Sequence, residues 1–478
     1  MGTGKMLTFT DQGRAMPDKR DEEERRDDFG EIYAEYAASK AAEQASRCSQ
    51  CGIPFCQDHC PLTNNIPDWL KLTAEGRLEE AYHLSAATNT FPEICGRICP
   101  QDRLCEGSCV IEQADFGTVT IGAVERYITE TAFDNGWVRP RLPTSDRAQS
   151  IGIIGSGPAG LAAAEQLRAT GFNVTIYERN DRIGGLLIYG IPNFKLDKAV
   201  VSRREALLRE QGIDFRTNVQ IGRDISFADL RARHDALLIA TGVYKARDLS
   251  APGSGLAGII PALDYLIASN RKGLGDAVPE FEDGTLDAKG KKVVVIGGGD
   301  TAMDCVRTAI RQGADAVTCL YRRDRANMPG SAREVHNATE EGVQFRWLAA
   351  PEGFAGDTAI SGVIARRMTL GAPDAEGRRT PTPLEDGRID LEADLVIKAL
   401  GFMPEDLPTL WGEPDLAVSR WGSIMADPIT GQTSIPGVFA AGDIVRGASL
   451  VVWAIKDGRS AATAITQWLE QTSRVAAE

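Results

Sequence analysis

A glycine-rich turn, Gly155-Ser156-Gly157-Pro158-Ala159-Gly160, constrains the fold of this chain more than any other feature. The apolar run at 150–154 before it is typical of a buried parallel strand, and 161–168 after it has the composition of a helix. A second strand pattern at 173–177 ends on Glu178. Strand, turn, helix, strand and acid in this order form the dinucleotide-binding fingerprint. We therefore predict a bound dinucleotide, with Glu178 accepting hydrogen bonds from a ribose hydroxyl pair.

The glycines of the turn each have a physical role in that prediction. Gly155 permits the tight turn, Gly157 leaves room for phosphate to approach the backbone N–H groups, and Gly160 lets helix and strand pack closely. Pro158 and Ala159 belong to the turn, and the N-terminus of the helix that follows supplies partial positive charge and free donors.

A second turn, Gly297-Gly298-Gly299-Asp300-Thr301-Ala302, follows the strand pattern at 292–296. The next strand pattern, at 317–321, ends on Arg322-Arg323 rather than on an acid. A guanidinium pair suits a 2′-phosphate, whereas Glu178 would repel one. We therefore predict that the first turn holds FAD and the second NADPH.

Two further elements complete a flavoprotein pattern. Gly184-Gly185 lies soon after Glu178, and Gly442-Asp443 lies near the end of the chain. Asp443 is expected to accept hydrogen bonds from the ribityl or diphosphate region, and a helix starting near Leu450 to direct its positive end at the flavin ring. A disulfide reductase is excluded because no Cys-x-x-Cys follows the last clustered cysteine.

Eight of the ten cysteines lie in two groups. The groups are Cys48-x2-Cys51-x4-Cys56-x3-Cys60-Pro61 and Cys95-x3-Cys99-Pro100-x4-Cys105-x3-Cys109. In a reducing compartment such groups are metal ligands rather than disulfides. They suit either two zinc ions or two [4Fe–4S] clusters. The Cys-Pro pairs, and the need of a flavin for a one-electron acceptor, favour the clusters.

Composition excludes several partners and compartments. A net charge of −14 argues against nucleic acid and anionic membranes. No apolar run reaches the roughly 18 residues of a membrane span, and residues 1–14 lack a signal-peptide core. We expect a cytoplasmic protein. The mixed-charge run at 18–28 predicts a solvated segment.

These patterns predict an α/β protein with an N-terminal α-helical domain and two Rossmann-like domains. The helical domain is placed at 1–145, the FAD domain at 146–285 plus 430–478, and the NADPH domain at 286–429.

Several stretches also resemble one family. They are Arg47-Cys48-x2-Cys51-Gly-Ile-Pro-Phe-Cys56, Asn65-Ile-Pro-Asp-Trp69, Ala87-Thr-Asn-Thr-Phe-Pro92, Cys95-Gly-Arg-Ile-Cys99-Pro100 and Gly136-Trp-Val138. With the two turns, they resemble the small (β) subunits of bacterial NADPH-dependent glutamate synthases over essentially the whole chain. The same module is similar to the N-terminal half of dihydropyrimidine dehydrogenase. The resemblance implies a helical Fe–S domain followed by FAD and NADPH domains like those of glutathione and adrenodoxin reductases.

The resemblance implies an electron-input subunit. NADPH would reduce FAD, and two [4Fe–4S] clusters would pass electrons to a large (α) subunit that makes L-glutamate from 2-oxoglutarate and L-glutamine. The hydride step needs no general acid or base, so no catalytic acid–base residue is assigned.

The resemblance also implies interleaved cluster ligands. Cluster 1 would take Cys48, Cys51, Cys56 and Cys109, and cluster 2 would take Cys60, Cys99, Cys105 and Glu125. Glu125 stands where dihydropyrimidine dehydrogenase has a glutamine ligand. Cys95 is then a spare thiol, but it stays open as the fourth ligand because many relatives have a shorter second group.

Two alternatives remain. Within the enzymes, the chain suits an NADPH–ferredoxin transhydrogenase or the electron-input piece of a pyrimidine reductase. From another class, it suits an assembly protein with zinc-bound cysteines and a vestigial nucleotide fold.

Overall fold

The computed structural model describes residues 5–374 and 379–477. Up to residue 149 the regular structure consists mainly of short helices, packed around buried side chains that include Trp69, Leu70 and Val124. Prolines in the first turns of two of them, Pro67 and Pro92, fit because an N-terminal N–H has no partner within a helix. The helices are α1 (Glu22–Asp27), α2 (Ala38–Ser46), α3 (Phe55–Asp58), α4 (Ile66–Ala74), α5 (Leu78–Thr88), α6 (Pro92–Ile98), α7 (Val110–Gln113) and α8 (Ile121–Asp134).

From residue 150 strands and helices alternate, as the first glycine turn predicts. The elements of this first module are β1 (Ser150–Ile154), α9 (Pro158–Ala169), β2 (Asn173–Tyr177), α10 (Leu186–Tyr189), α11 (Lys198–Glu210), β3 (Asp214–Arg216), α12 (Phe227–Arg233) and β4 (Ala236–Ile239). A short strand, β5 (Lys245–Ala246), leads out of it.

The second module repeats the alternation around the second turn. It contains β6 (Ile259–Pro261), α13 (Ala262–Gly273), α14 (Pro279–Glu282), β7 (Lys292–Ile296), α15 (Asp300–Arg311), β8 (Ala316–Tyr321), α16 (Ala332–Glu340), β9 (Gln344–Trp347), β10 (Ala349–Gly356), β11 (Ile360–Pro373), β12 (Arg379–Glu392) and β13 (Leu395–Lys398). The chain then returns to the first module through β14 (Phe402–Met403), α17 (Leu407–Trp411), β15 (Val438–Ala440), α18 (Asp443–Arg446) and α19 (Val451–Ala477).

Two five-stranded parallel sheets form the α/β part, in the orders β15-β4-β1-β2-β3 and β6-β13-β7-β8-β9. In each sheet the strand before the glycine turn lies between the next strand along the chain and the strand that ends in a small-residue corner. The predicted α/β class and paired nucleotide modules are therefore confirmed. The antiparallel sheet β10-β11-β12 fills the crossover between β9 and β13.

The strand pairing corrects two predicted boundaries. The prediction assigned residues up to 285 to the first module, but β6 pairs with β13 and belongs to the second sheet. Similarly, α17 packs among first-module side chains such as Phe227, so the return begins before residue 430. The crossing points are β5 and β14, which pair with each other.

Helix α19 closes the first module by packing against α9. A Cβ at Gly458 would lie 2.1 Å from the carbonyl oxygen of Ala159, so only glycine permits this approach. None of the helices within 5–374 and 379–477 combines the length and apolar character that crossing a bilayer requires.

A buried ionic cluster ties the N-terminal arm to the second module. Arg25 is 2% exposed, and its guanidinium lies 3.3 Å from Glu340 and 3.5 Å from Glu341. Arg307 and Arg311 also pair with Glu341, at 2.8 and 2.6 Å. The prediction that residues 18–28 are solvated is therefore wrong at Arg25. Its carboxylate partners lie more than 300 residues away in the sequence, so the local charge pattern could not indicate that Arg25 is buried.

The two nucleotide modules are also joined directly. Arg182 pairs with Asp276 on the loop after α13, and Lys195 with Asp304 on α15, at 2.7 and 2.8 Å. The amide of Asn270 donates to the carbonyl of Tyr189. These contacts fix one orientation of the two modules.

Candidate cofactor sites

A large cleft lies at the carboxyl ends of the first sheet. Its walls include the first glycine turn, Glu178, Gly185, Asp443 and the first turn of α19. Gly184 and Gly442 have positive φ angles of 113° and 79°, which glycine adopts without strain. The structure thus brings the residues predicted for FAD to one place.

The turn itself contains both tight packing and open space. A Cβ at Gly155 would lie 2.4 Å from the Ala240 carbonyl oxygen, and one at Gly160 would lie 2.1 Å from that of Gly155. A Cβ at Gly157, in contrast, would meet no atom within 4 Å. This cradle, open above a helix N-terminus, suits a pyrophosphate.

The carboxylates of the cleft differ in their surroundings. Both oxygens of buried Glu178 are already hydrogen-bonded, one by the N–H and hydroxyl of Ser156 and the other by the N–H and side-chain amide of Asn180. Its four acceptor positions are therefore filled, and a ribose hydroxyl must displace one of these side chains. Burial raises the pKa of Asp443 to about 7.

Sequence reasoning missed three cleft residues. The Arg179 guanidinium lies 4.5 Å from the ring centre of Tyr244 and 2.9 Å from both carboxylate oxygens of Glu405. Burial raises the pKa of Tyr244. Arg179 directly follows Glu178, so its place at the cleft could have been predicted, whereas Tyr244 and Glu405 carry no local signal.

The second glycine turn has the same construction. A Cβ at Gly297 would lie 2.2 Å from the Ala399 carbonyl oxygen, one at Gly298 would collide with the Tyr321 ring, and one at Gly299 would meet nothing within 4 Å. Asp300, Thr301 and Ala302 form the first turn of α15.

Arg322 and Arg323 follow β8 directly, beside this turn. Within the described residues no hydrogen bond or ion pair engages the exposed Arg322 guanidinium, and the buried Nε of Arg323 has no partner. Two such cations next to an open phosphate turn suit a 2′-phosphate.

The thiols predicted for cluster 1 come from both cysteine groups. Cys51 and Cys109 both lie close enough to Cys48 and Cys56 to add electrostatically to the raised pKa of those two thiols. Burial is the larger cause, raising the pKa of Cys48 to about 11 and of Cys56 to about 12. A bound metal offsets the cost of deprotonating these buried thiols, because metals coordinate the thiolate form.

Arg47 positions this group. Its fully buried guanidinium donates to four carbonyl oxygens, of Gln12, Phe116, Gly117 and Thr118, at 2.6–2.9 Å. Because Arg47 directly precedes Cys48, these hydrogen bonds hold the loop at 116–118, which follows Cys109, close to the start of the first cysteine group.

The residues predicted as ligands of cluster 2 line a cavity. Its walls include Cys60, Cys99, Cys105, Glu125 and also Cys95. Burial raises the pKa of Glu125 to about 8, although Ser85 and Asn89 donate hydrogen bonds to its Oε1 at 3.3 and 3.2 Å. The structure therefore brings both the predicted ligands and the predicted spare thiol to one cavity.

This cavity lies next to the nucleotide cleft. Val452, in the first turn of α19, lines the cavity, while its neighbours Leu450, Val451 and Ala454 line the cleft. The start of α19 thus contributes apolar side chains to the walls of both.

The predicted thiol sets are chemically suited to either kind of metal centre. A zinc ion binds all its ligands on one atom, whereas each thiolate of a [4Fe–4S] cluster binds a different iron. Among residues 5–374 and 379–477, no three His, Cys, Asp or Glu side chains are arranged to hold a single metal ion.

Comparison with known proteins agrees with this geometry. Residues 25–137 match the family model described as dihydropyrimidine dehydrogenase domain II, 4Fe-4S cluster, and 149–458 match pyridine nucleotide-disulphide oxidoreductase. The chain is 64% identical over 465 residues to the glutamate synthase [NADPH] small chain of Azospirillum brasilense, covering 97% of this chain and 96% of that one. The chain belongs to the glutamate synthase small-chain family.

Other members of the glutamate synthase small-chain family and solved structures extend the comparison. The Escherichia coli small chain is 45% identical over 467 residues, covering 97% of this chain and 98% of that one. The structure of Mycobacterium tuberculosis FprA in complex with NADPH has a TM-score of 0.59 at 22% identity, covering 69% of this chain and 86% of that one. This likeness shows the fold of the two nucleotide modules.

Proposed function

We propose that this chain is the electron-input subunit of an NADPH-dependent glutamate synthase. The observation that carries the proposal is that the start of α19 lines both the nucleotide cleft and the cysteine cavity. A metal cluster held in this cavity would be placed to accept electrons from a flavin in the cleft. The named relatives are small chains, so we propose a large-chain partner that forms L-glutamate.

The residues divide into three binding sets. The FAD set is Gly155, Gly157, Pro158, Ala159, Gly160, Glu178, Gly184, Gly185, Gly442 and Asp443. The NADPH set is Gly297, Gly299, Asp300, Thr301, Ala302, Arg322 and Arg323. The cluster ligands are Cys48, Cys51, Cys56 and Cys109 for cluster 1, and Cys60, Cys99, Cys105 and Glu125 for cluster 2.

When bound, the flavin and clusters supply the change from hydride to single-electron chemistry. The chain's own residues bind and orient these groups. The helix N-termini of α9 and α15 and the arginine pair bind the phosphates, and Leu450, Val452 and Ala454 exclude water between cleft and cavity.

Anaerobic titration of the isolated chain with NADPH tests this proposal. We expect flavin and Fe–S absorbance to bleach together, with about eight irons and no stoichiometric zinc per chain. Zinc in place of iron, or absorbance that NADPH leaves unchanged, would contradict it.

The arginine pair gives a test of nucleotide choice. Replacing both residues, Arg322→Gln with Arg323→Gln, should lower kcat/KM for NADPH about a hundredfold, because two charge-assisted bonds to the 2′-phosphate are lost. The value for NADH should change less than about threefold, since NADH lacks that phosphate. Arg388→Gln, on an exposed arginine of β12, is the matched control. Equal losses with both nucleotides would refute the assignment.

We propose that the large chain docks over the first cysteine group. Between Cys51 and Cys56 the side chains of Ile53 and Phe55 are 69% and 42% exposed. Apolar side chains so exposed beside the proposed metal ligands are typical of a contact surface. It adjoins cluster 1, from which electrons must leave, so its occupant is the chain that carries the acceptor.

Changing this surface should weaken assembly. Ile53→Asp with Phe55→Asp should raise the Kd for the large chain at least about tenfold, because the partner would bury two charges. Trp421→Asp is the control, since Trp421 is also 69% exposed but lies on the first-module loop before β15. An equal effect of both changes would disprove the placement.

A further inference from the structure

An acid in the second cysteine group contacts the second nucleotide module. The carboxylate of Asp102, between Cys99 and Cys105, accepts from the hydroxyl of Ser331 and from the backbone N–H of Ala332, both at 2.9 Å. These residues begin α16, whose own N-cap side chain, Ser331, caps no N–H of the helix. Asp102 therefore supplies the cap from another domain, where an acid is also favoured by the helix dipole.

The same segment contacts the second glycine turn. The N–H of Ser331 donates to Oδ1 of Asp300 at 2.9 Å, and the N–H of Gly330 donates to the carbonyl of Gly298 at 2.9 Å. A Cβ at Gly330 would lie only 3.1 Å from that carbonyl oxygen. Residues 329–333, which we name the bridging segment, therefore lie directly against the phosphate turn.

Two arginines complete the contact. Arg103 donates to the carbonyl of Pro329, and Nη2 of Arg333 lies 3.4 Å from the carbonyl oxygen of Cys99 and 3.5 Å from that of Arg97. The bridging segment is thus held on one side by the phosphate turn and on the other by the chain between Arg97 and Arg103. A shift of the turn on binding phosphate must move or strain both ends, because close-packed contacts transmit displacement.

We propose that Asp102 couples nucleotide binding in the second module to the second cysteine group. Asp102 is a positioning residue: bound nucleotide holds the bridging segment in place, and the segment holds the loop that carries Cys99 and Cys105. The inference rests on the proposed function for the nature of the nucleotide and of the cluster. Linkage requires the effect to be reciprocal, so loss of the contact must also weaken nucleotide binding.

Hydrogen exchange with a redox-inactive probe tests the coupling. The probe is 2′-phospho-ADP-ribose, which carries the pyrophosphate and the 2′-phosphate of NADPH but has no nicotinamide and so cannot donate or accept a hydride. The reporters are the N–H groups of Leu104, Glu106 and Gly107, which donate to the carbonyl of Gln101 inside the cysteine loop. In the complete chain, we expect the probe to slow exchange about fivefold or more, both there and at 297–302.

The variants separate coupling from simple stability. In Asp102→Asn the probe should still protect 297–302, but protection of 104–107 should fall below twofold, and the EPR spectrum of the reduced clusters should no longer respond to the probe. Ser331→Ala, which removes one of the two bonds, should show a partial loss. Asp68→Asn, at an exposed acid on α4, should behave as the unaltered chain.

Two results would overturn the proposal: a cysteine loop that ignores the probe in the unaltered chain, or full protection of 104–107 in Asp102→Asn. Iron content and bleaching by NADPH, measured on the same samples, report separately on the proposed function. A chain that bleaches normally while its cysteine loop ignores the probe would refute the coupling alone.

Discussion

Changing Cys99 to serine is expected to separate the two halves of the reaction. Reduction of the flavin by NADPH should continue near its normal rate, because no second-module residue is altered. Electron delivery to a one-electron acceptor should fall more than about a hundredfold. Replacing a residue that only supports a metal ligand already lowers activity by up to about a hundredfold, and loss of the ligand itself should lower it further. Stopped-flow absorbance and reduction of an artificial acceptor measure the two steps. Loss of both steps together would contradict the order of the sites.

EPR spectra and reduction potentials of the clusters decide between the two possible fourth ligands of cluster 2. Glu125 and Cys95 both face the cavity, so geometry leaves the question to measurement. If Glu125 is the ligand, Glu125→Ala should change the EPR spectrum and potential, whereas Cys95→Ser should leave both unchanged. The opposite pattern would make Cys95 the ligand and Glu125 its neighbour.

Alanine substitutions at two glycines of the first turn should both abolish flavin binding, but for different reasons. Gly160→Ala places a Cβ 2.1 Å from a carbonyl oxygen, so α9 must leave β1, at a cost of about 1–3 kcal/mol or more. Gly157→Ala places its Cβ in empty space on an extended backbone, and should cost less than about 1 kcal/mol. Both should lose bound flavin, the first through the fold and the second because the methyl group fills the phosphate cradle.

Flavin content per chain, circular dichroism and thermal unfolding distinguish the two cases. Gly160→Ala should be purified with little flavin and a lowered Tm. Gly157→Ala should lack flavin and yet match the Tm of the unaltered chain from which flavin has been removed. Retention of flavin by Gly157→Ala would show that the pyrophosphate lies elsewhere.

The sequence predicted the parts of this molecule that depend on local backbone requirements. Both glycine turns could be placed because strand, turn and helix are adjacent in the chain, and each position has one steric demand. The cysteine groups could be found from spacing alone. The ligand sets, in contrast, required a family resemblance, since spacing does not say which thiols interleave.

The features missed by prediction depend on contacts between distant residues. Strand β6 is three residues long and pairs with β13, so no local periodicity marked its sheet. Asp102 had the appearance of a loop acid, and its partner Ser331 lies 229 residues away. Arg25 stood in a charged run typical of solvated helices, and only the folded chain places Glu341 opposite it.

That last contact limits how this protein can be divided. Lys19 and Arg25 precede every cysteine in the chain, yet they neutralise Glu340 and Glu341 at the end of α16. An excised flavin–nicotinamide half would keep both acids without two of their cations and would expose the Glu341 carboxylate that Arg25 covers, while Arg307 and Arg311 would still pair with it. A stand-alone reductase cut from this chain should therefore be less stable than the same modules in the full chain, and the arm supplied as a separate peptide should restore part of that stability.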